Sequence, residues 1–208
     1  EDITPYFAQV NYASAFDNDK IDIYIPKNAV YEDTYLDVHF GFNEVKVDEY
    51  TTPLHKSMTI GFDVSEFSDE DKSKMYIAKI FPWGSYYYSN TKKKKDRFVT
   101  YTKEFGTYGL KSDLKKPTIK PVNFTDGKWM SNYRYLKLKI DDDETGIDAY
   151  RATVNGKFIL MEYDYKTKTL THDFNDNAVT EARNKLKVVV TDKVGNTRIF
   201  KAKFNRKN

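Results

Sequence analysis

The stretch YLKLKI, at residues 135–140, alternates strictly between apolar side chains and charged or aromatic ones. This two-residue period is typical of a β-strand with one buried face. Further along, two strand-like stretches at residues 150–154 and 157–163 flank Asn155-Gly156. Asn-Gly favours a type I′ hairpin, because both central residues of that turn have positive φ. The sequence therefore predicts antiparallel β-structure here.

Similar patterns extend over the whole chain. A second hairpin is predicted from residues 186–191 and 197–202, joined by a loop that contains Gly195. In the N-terminal half, strands are predicted at 21–25, 35–40, 58–63, 75–80 and 97–101. Only one helical turn is indicated, between Ser65 and Lys74, with Ser68 as N-cap and Asp71 three residues later. Many short strands separated by turns favour sandwiches or barrels over a parallel α/β fold.

The charge distribution divides the chain. Residues 1–112 carry 14 Lys and Arg against 18 Asp and Glu, a net charge of −4, whereas residues 113–208 carry 20 against 13, a net of +7. A polar segment that ends in Pro117 separates them and suits a short, stiff linker. We therefore expect an all-β chain of two consecutive β-sandwich domains, residues 1–112 and 113–208.

Composition excludes several classes of protein. Cysteine is absent, which removes disulfides, thiol catalysis and Cys-ligated zinc. No apolar run approaches the roughly 20 residues of a membrane helix, so no transmembrane segment is expected. The net charge of +3 is too balanced for a dedicated nucleic-acid binder. The chain starts at Glu1 without a signal peptide, which suggests a mature or trimmed fragment.

A family resemblance is carried by two sets of segments. In the C-terminal half these are residues 116–124, Asp141-Asp142, Gly146-Ile147, Tyr150-Arg151, 154–164 and 188–196. In the N-terminal half they are residues 25–31, 52–56 and 105–108. The chain resembles the C-terminal, non-catalytic region of Gram-negative cell-envelope LytM (lysostaphin-type) zinc metallopeptidases. The resemblance implies that the second domain is Ig-like and that a peptidase domain lies upstream.

The catalytic pattern of that family does not occur in this chain. LytM peptidases bind zinc through an H-x-x-x-D pair and an H-x-H pair, and the three histidines here, His39, His55 and His172, match neither. The pattern H-E-x-x-H is also missing. We therefore expect no catalytic residue and no cofactor in this chain.

Two loops contain candidate calcium ligands. Asp141, Asp142 and Asp143 form an acidic turn after the strand at 135–140, and Asp192 begins the loop of the second hairpin. Carboxylate oxygens suit calcium, although the spacing is not that of an EF-hand. The simpler interpretation, which we prefer, is a solvated turn whose aspartates accept hydrogen bonds from nearby backbone N–H groups.

An aromatic segment and a basic run form the second candidate surface. Trp83, Tyr86, Tyr87 and Tyr88 could stack on a sugar ring, and the alternative is cross-strand packing. They are followed by a run of lysines that could contact a polyanion or could keep a hairpin tip soluble. These lysines are Lys92, Lys93, Lys94 and Lys95.

These observations lead to two functional hypotheses. The first is an accessory or scaffolding region that positions or docks an envelope peptidase, with its own upstream peptidase domain and a cell-wall polymer or envelope protein as partners. The second is a carbohydrate- or peptidoglycan-binding module that uses the exposed aromatics. The resemblance implies a secreted, periplasmic or cell-surface location in a Gram-negative bacterium, and no specific nucleic-acid partner is expected.

Overall fold

A computed structural model describes residues 6–207 and shows a nearly all-β protein. The all-β prediction is therefore confirmed. The chain divides into two compact units, Glu1–Asp113 and Leu114–Asn208. This division falls one residue after the boundary expected from the charge pattern and the linker.

The N-terminal unit contains twelve strands and one short helix within its described part. Their bounds are β1 Phe7–Ala8, β2 Ser14–Asp17, β3 Ile21–Ile25, β4 Thr34–Tyr35, β5 Val38–Phe40, β6 Glu44–Val47, β7 Pro53–Asp63, α1 Asp69–Lys74, β8 Met75–Ile80, β9 Tyr86–Tyr88, β10 Lys92–Lys94, β11 Arg97–Glu104 and β12 Gly106–Ser112.

Two five-stranded antiparallel sheets enclose the core of this unit. Their strand orders are β10-β11-β7-β3-β2 and β5-β6-β12-β8-β9, and β1 pairs with β4 separately. Inward side chains of both sheets, such as Ile23 and Ile77, belong to one buried apolar cluster. The single strand expected at 35–40 is interrupted, because Leu36 leaves the sheet and is fully buried in the core.

A tyrosine hydroxyl is buried in this core. Tyr108 is 1% exposed. Its hydroxyl donates to the backbone oxygen of Glu104 at 2.9 Å and lies 2.8 Å from Thr102 Oγ1. Burial disfavours the phenolate and raises the pKa of Tyr108 to about 12.

The C-terminal unit contains nine strands and one 3₁₀ turn in its described part. Their bounds are β13 Thr118–Pro121, β14 Lys128–Trp129, β15 Tyr135–Asp141, β16 Ile147–Val154, β17 Lys157–Ile159, β18 Glu162–Asp164, β19 Thr169–Asp173, the 3₁₀ turn Phe174–Asp176, β20 Arg183–Asp192 and β21 Thr197–Asn205.

These strands form a second sandwich. One sheet has the order β13-β15-β19-β18, and the other has the order β14-β21-β20-β16-β17. All pairs are antiparallel except β14 with β21. The alternation at 135–140 has the expected result, since Leu136, Leu138 and Ile140 are fully buried in a core that both sheets share.

The predicted helical turn is confirmed. Ser68 is the N-cap of α1, and its hydroxyl accepts from the backbone N–H of Asp71 at 3.1 Å. The same hydroxyl donates to the Asp71 carboxylate at 2.7 Å. This reciprocal pairing resembles a capping box, which satisfies a free N–H group of the first turn.

Both predicted hairpins are also confirmed. Asn155 and Gly156 connect β16 to β17 with φ values of 51° and 83°. The side chain of Asn155 also stabilises this turn, because its Oδ1 accepts a hydrogen bond from the backbone N–H of Lys185 at 2.8 Å. In the second hairpin, Thr191 of β20 pairs with Thr197 of β21.

The prediction of a single strand at 157–163 is wrong. The segment divides into β17 and β18, which belong to different sheets of the sandwich. Leu160 and Met161 connect the two strands across the sandwich, and two partly buried polar contacts stabilise this crossing. His172 Nδ1 lies 2.9 Å from Leu160 O, and the Tyr150 hydroxyl donates to Met161 O at 3.2 Å. Continuous strand propensity could not reveal this change of sheet.

Candidate functional site

Four lysines form a two-by-two array on the C-terminal unit. Lys185 and Lys187 of β20 pair directly with Lys203 and Lys201 of β21. The intervening residues face the core, so these four side chains share the outer, solvent-exposed face of the sheet. We call Lys185, Lys187, Lys201 and Lys203 the lysine array.

The array has little local charge compensation. Among residues 6–207, no carboxylate oxygen lies within 4.0 Å of any of its four ammonium groups. Asp126 lies at its margin, but the Oδ1 of that residue accepts the backbone N–H of Lys203 at 2.6 Å. Directly opposed like charges destabilise a sheet, so the arrangement costs stability.

Sequence reasoning missed this array, although a usable signal was present. The second hairpin pairs Thr191 with Thr197, and this register brings Lys187 opposite Lys201. Without that register, the positive charge of this half is simply spread along the chain. The pairing brings four of the lysines together on one face of two neighbouring strands. Their Cβ atoms are roughly 5 Å apart across the strands and roughly 7 Å apart along each strand.

An aromatic cluster lies at one edge of the N-terminal unit. Phe81 and Trp83 stack with ring centroids 4.8 Å apart. Tyr50 contacts Trp83 edge-on at 5.8 Å, and Tyr87 contacts Phe81 edge-on at 5.5 Å. Trp83 is 65% exposed and Tyr87 is 63% exposed. We call Tyr50, Phe81, Trp83 and Tyr87 the aromatic cluster.

Only two of the four predicted aromatic ligands belong to this cluster. Tyr88 packs instead against the buried ring of Tyr76 at 5.6 Å. Tyr86 lies under the ammonium of Lys111, which is 5.2 Å from its ring centroid. Tyr50 was missed, because it is more than thirty residues from Phe81 in sequence and no local pattern links them.

The basic run forms one arm of a hairpin and reaches its tip, as one of the two interpretations predicts. Lys92, Lys93 and Lys94 make up the edge strand β10, and the turn lies at Lys95-Asp96. The ammonium of Lys93 donates to the backbone oxygens of Lys72 and Ser73 at the end of α1. Exposed lysines on an edge strand also oppose unwanted strand addition, so this run has a structural explanation.

The candidate calcium ligands separate into three environments. Asp141 is paired with the ammonium of Lys168 at 2.5 Å, and Asp143 is exposed. Asp142 and Asp192 are the two that the fold brings together, with ligand oxygens within 4.8 Å of each other. Both residues accept backbone N–H groups, as the simpler interpretation expects. The expectation of a solvated turn is wrong for Asp192, which is 1% exposed.

The three histidines lie in separate environments and do not form a zinc site with one another. His39 pairs with Asp37 at 2.6 Å on the surface, and His55 is exposed beside the ring of Tyr31. His172 is buried at the sheet crossing. Within residues 6–207, none of them belongs to a group of three or more side chains placed to ligate one metal.

No helix among residues 6–207 has the length and apolar character needed to span a bilayer.

A search of curated proteins finds no match to the chain. The family model of the Zu5-like domain matches residues 5–113, which is more than half of the sequence and corresponds to the N-terminal unit. The chain therefore belongs to the Zu5-like domain family.

Proposed function

We propose that this chain is a non-catalytic accessory region of an envelope LytM-type metallopeptidase, and that its C-terminal unit holds the enzyme against an anionic envelope polymer. The lysine array is the observation that supports docking. The parentage is supported by the sequence segments that resemble the C-terminal region of such peptidases, and the upstream peptidase domain and bacterial-envelope location belong to the same proposal.

The array favours a polyanion for a physical reason. Lys187 and Lys201 face each other with no carboxylate of the described chain within 4.0 Å of either ammonium. A bound phosphate or carboxylate polymer replaces this repulsion with attraction. Such binding is long-range and insensitive to sequence, and it weakens as salt shortens the Debye length from about 8 Å at 0.15 M to about 3 Å at 1 M.

The decisive comparison uses two double variants that remove the same charge from opposite sheets. Lys187→Gln with Lys201→Gln dilutes the array. Lys120→Gln with Lys139→Gln removes another directly opposed lysine pair, on the other sheet of the same unit. The readouts are calorimetric titration with sodium polyphosphate and co-sedimentation with purified peptidoglycan sacculi, both at 0.05 M and 0.5 M salt.

We expect the array variant to lose up to about thirtyfold in polyphosphate affinity, at roughly 1 kcal/mol per lysine near an anionic surface. The control variant should lose much less. Equal losses in the two variants would show that net charge alone acts, and unchanged binding in the array variant would reject the docking surface.

The upstream coding sequence tests the parentage separately. Finding H-x-x-x-D and H-x-H motifs N-terminal to Glu1 would support a LytM peptidase. A different catalytic domain there would reject that parentage and leave the docking surface to be judged by binding.

A second candidate function, carbohydrate binding, is favoured by the aromatic cluster. Its rings are fixed by mutual contacts while Trp83 and Tyr87 remain well exposed. Stacking on a sugar ring depends on the ring face, so this binding should persist at 0.5 M salt. Trp83→Ala should abolish it, whereas Trp129→Ala, which removes an exposed tryptophan of the other unit, should have no effect. Salt-resistant binding lost only in Trp83→Ala would favour this function over polyanion docking.

A further inference from the structure

One loop of the C-terminal unit is organised around the side chain of Asp142, directly after β15. Its Oδ1 accepts the backbone N–H of Thr145 at 2.9 Å and of Gly146 at 2.8 Å. A third N–H, from Glu144, approaches at 3.3 Å. These bonds use Oδ1, so Oδ2 does not take part in this set of contacts.

A second loop is organised in the same way by Asp192, the last residue of β20. Its Oδ1 accepts from Val194 at 3.0 Å and from Asn196 at 2.8 Å. Asp192 is 1% exposed. Its Oδ2 is also buried and has no hydrogen-bond partner among residues 6–207.

An unpartnered oxygen of a buried carboxylate is strongly unfavourable, because it has lost water without gaining another ligand. Nearly every buried polar atom in a folded protein has a partner, so an exception points to a missing ion, water or proton. Asp192 therefore needs a partner that the described residues do not supply.

The position of Asp142 indicates what that partner is. Ligand oxygens of Asp142 and Asp192 lie within 4.8 Å of each other. Calcium binds oxygen at about 2.3–2.6 Å, so two oxygens on one ion are at most about 5 Å apart. Two carboxylates at this separation repel each other, and the neighbouring Asp143 adds negative potential. A hard cation relieves both effects.

We propose that the C-terminal unit binds one divalent cation, calcium in preference to magnesium, between the carboxylates of Asp142 and Asp192. The ion would tie the loop after β15 to the loop between β20 and β21. Calcium is favoured because it accepts irregular sets of six to eight oxygens, whereas magnesium requires near-octahedral geometry. This proposal is independent of polymer docking.

The test uses the full chain after treatment with a chelator. Calcium chloride and magnesium chloride are titrated separately by calorimetry, and thermal unfolding is followed with and without each ion. The variants are Asp192→Asn and Asp142→Asn, because asparagine keeps the Oδ1 acceptor that organises each loop. Asp143→Asn is the matched control, since it removes an exposed charge from the same turn.

We expect one calcium ion per chain and a rise in the unfolding temperature of the C-terminal unit. At free calcium about ten times the dissociation constant, the rise should be roughly 5–10 °C. Both Asp→Asn variants should lose this response, and Asp143→Asn should keep most of it. If Asp192→Asn does not fold, Asp142→Asn and the wild-type response to the chelator still decide the question.

Three outcomes would overturn the proposal. One is the absence of calcium binding up to 10 mM. Another is a calcium response that survives in Asp142→Asn and Asp192→Asn. The third is a wild-type protein that ignores calcium but gains stability below pH 5, which would identify a shared proton as the partner of Asp192.

Discussion

Reversing one charge of the lysine array should stabilise the C-terminal unit while weakening its binding to polyanions. In Lys201→Glu, the new carboxylate faces Lys187 directly across the β20–β21 pair. The Cβ atoms of such a pair are roughly 5 Å apart. If the charged ends of the two long side chains are about 7 Å apart in water, the two unit charges interact by about 0.6 kcal/mol. Changing repulsion into attraction therefore contributes about 1 kcal/mol, which agrees with the range measured for cross-strand pairs.

For a unit of this size, about 1 kcal/mol corresponds to an unfolding temperature higher by roughly 4–8 °C. Calorimetry at 0.05 M and 1 M salt provides the assay, and hydrogen exchange of the β20 and β21 amides assigns the change to this unit. Lys201→Gln should give about half the gain. A lower unfolding temperature at low salt, or a gain that is the same at both salt concentrations, would refute the electrostatic argument. Polyphosphate affinity should fall in the same variant.

Three further predictions concern the fold. Asn155→Ala should lower the free energy of unfolding by about 2–3 kcal/mol, because alanine is strained at the positive φ of 51° and cannot accept the hydrogen bond from Lys185 N–H. Chemical unfolding measures this loss. The control Asn155→Gly, in which glycine tolerates that φ, should lose less. The phenolate of Tyr108 forms more readily in the unfolded state, where its pKa is near 10, than in the folded state, where it is about 12. The contribution of Tyr108 to the free energy of unfolding should therefore be constant below pH 10 and fall by up to about 1.4 kcal/mol per pH unit between pH 10 and 12. In Tyr108→Phe this decrease in the free energy of unfolding should be absent. Ser68→Ala should lower the free energy of unfolding by about 1 kcal/mol, because it removes the N-cap of α1. Ser73→Ala, later in the same helix, should lower it less. Equal losses for the two variants in urea unfolding would argue against a capping role.

Local patterns predicted much of the fold. Strand β3 and strand β8 begin and end where the alternation indicated, and the cap at Ser68 and the Asn155-Gly156 turn are where their chemistry requires. Each of these features depends on residues within a few positions of one another. Side-chain period and turn chemistry are therefore sufficient to locate them.

The errors have a common physical cause. The crossing at Leu160 and Met161 depends on contacts with His172 and Tyr150, which belong to other strands. Similarly, the aromatic cluster needs Tyr50, and the cation site needs two loops fifty residues apart in sequence. Such features arise only when strands pair and sheets stack, so single-segment patterns cannot specify them. The lysine array is the exception, because hairpin register alone would have revealed it.

The position of β21 inside its sheet has a consequence for how the protein is made. This strand lies between β14 and β20, and Arg206 donates to the backbone oxygens of Met130 and Tyr133. A ribosome must therefore release residues beyond 200 before the sheet of the C-terminal unit can close, while all strands of the N-terminal unit have already emerged. During that interval the backbone N–H and C=O groups of β20 that pair with β21 remain unpaired, so slow translation or premature termination before Thr197 would leave an open sheet edge prone to aggregation, with only the first half of the chain folded.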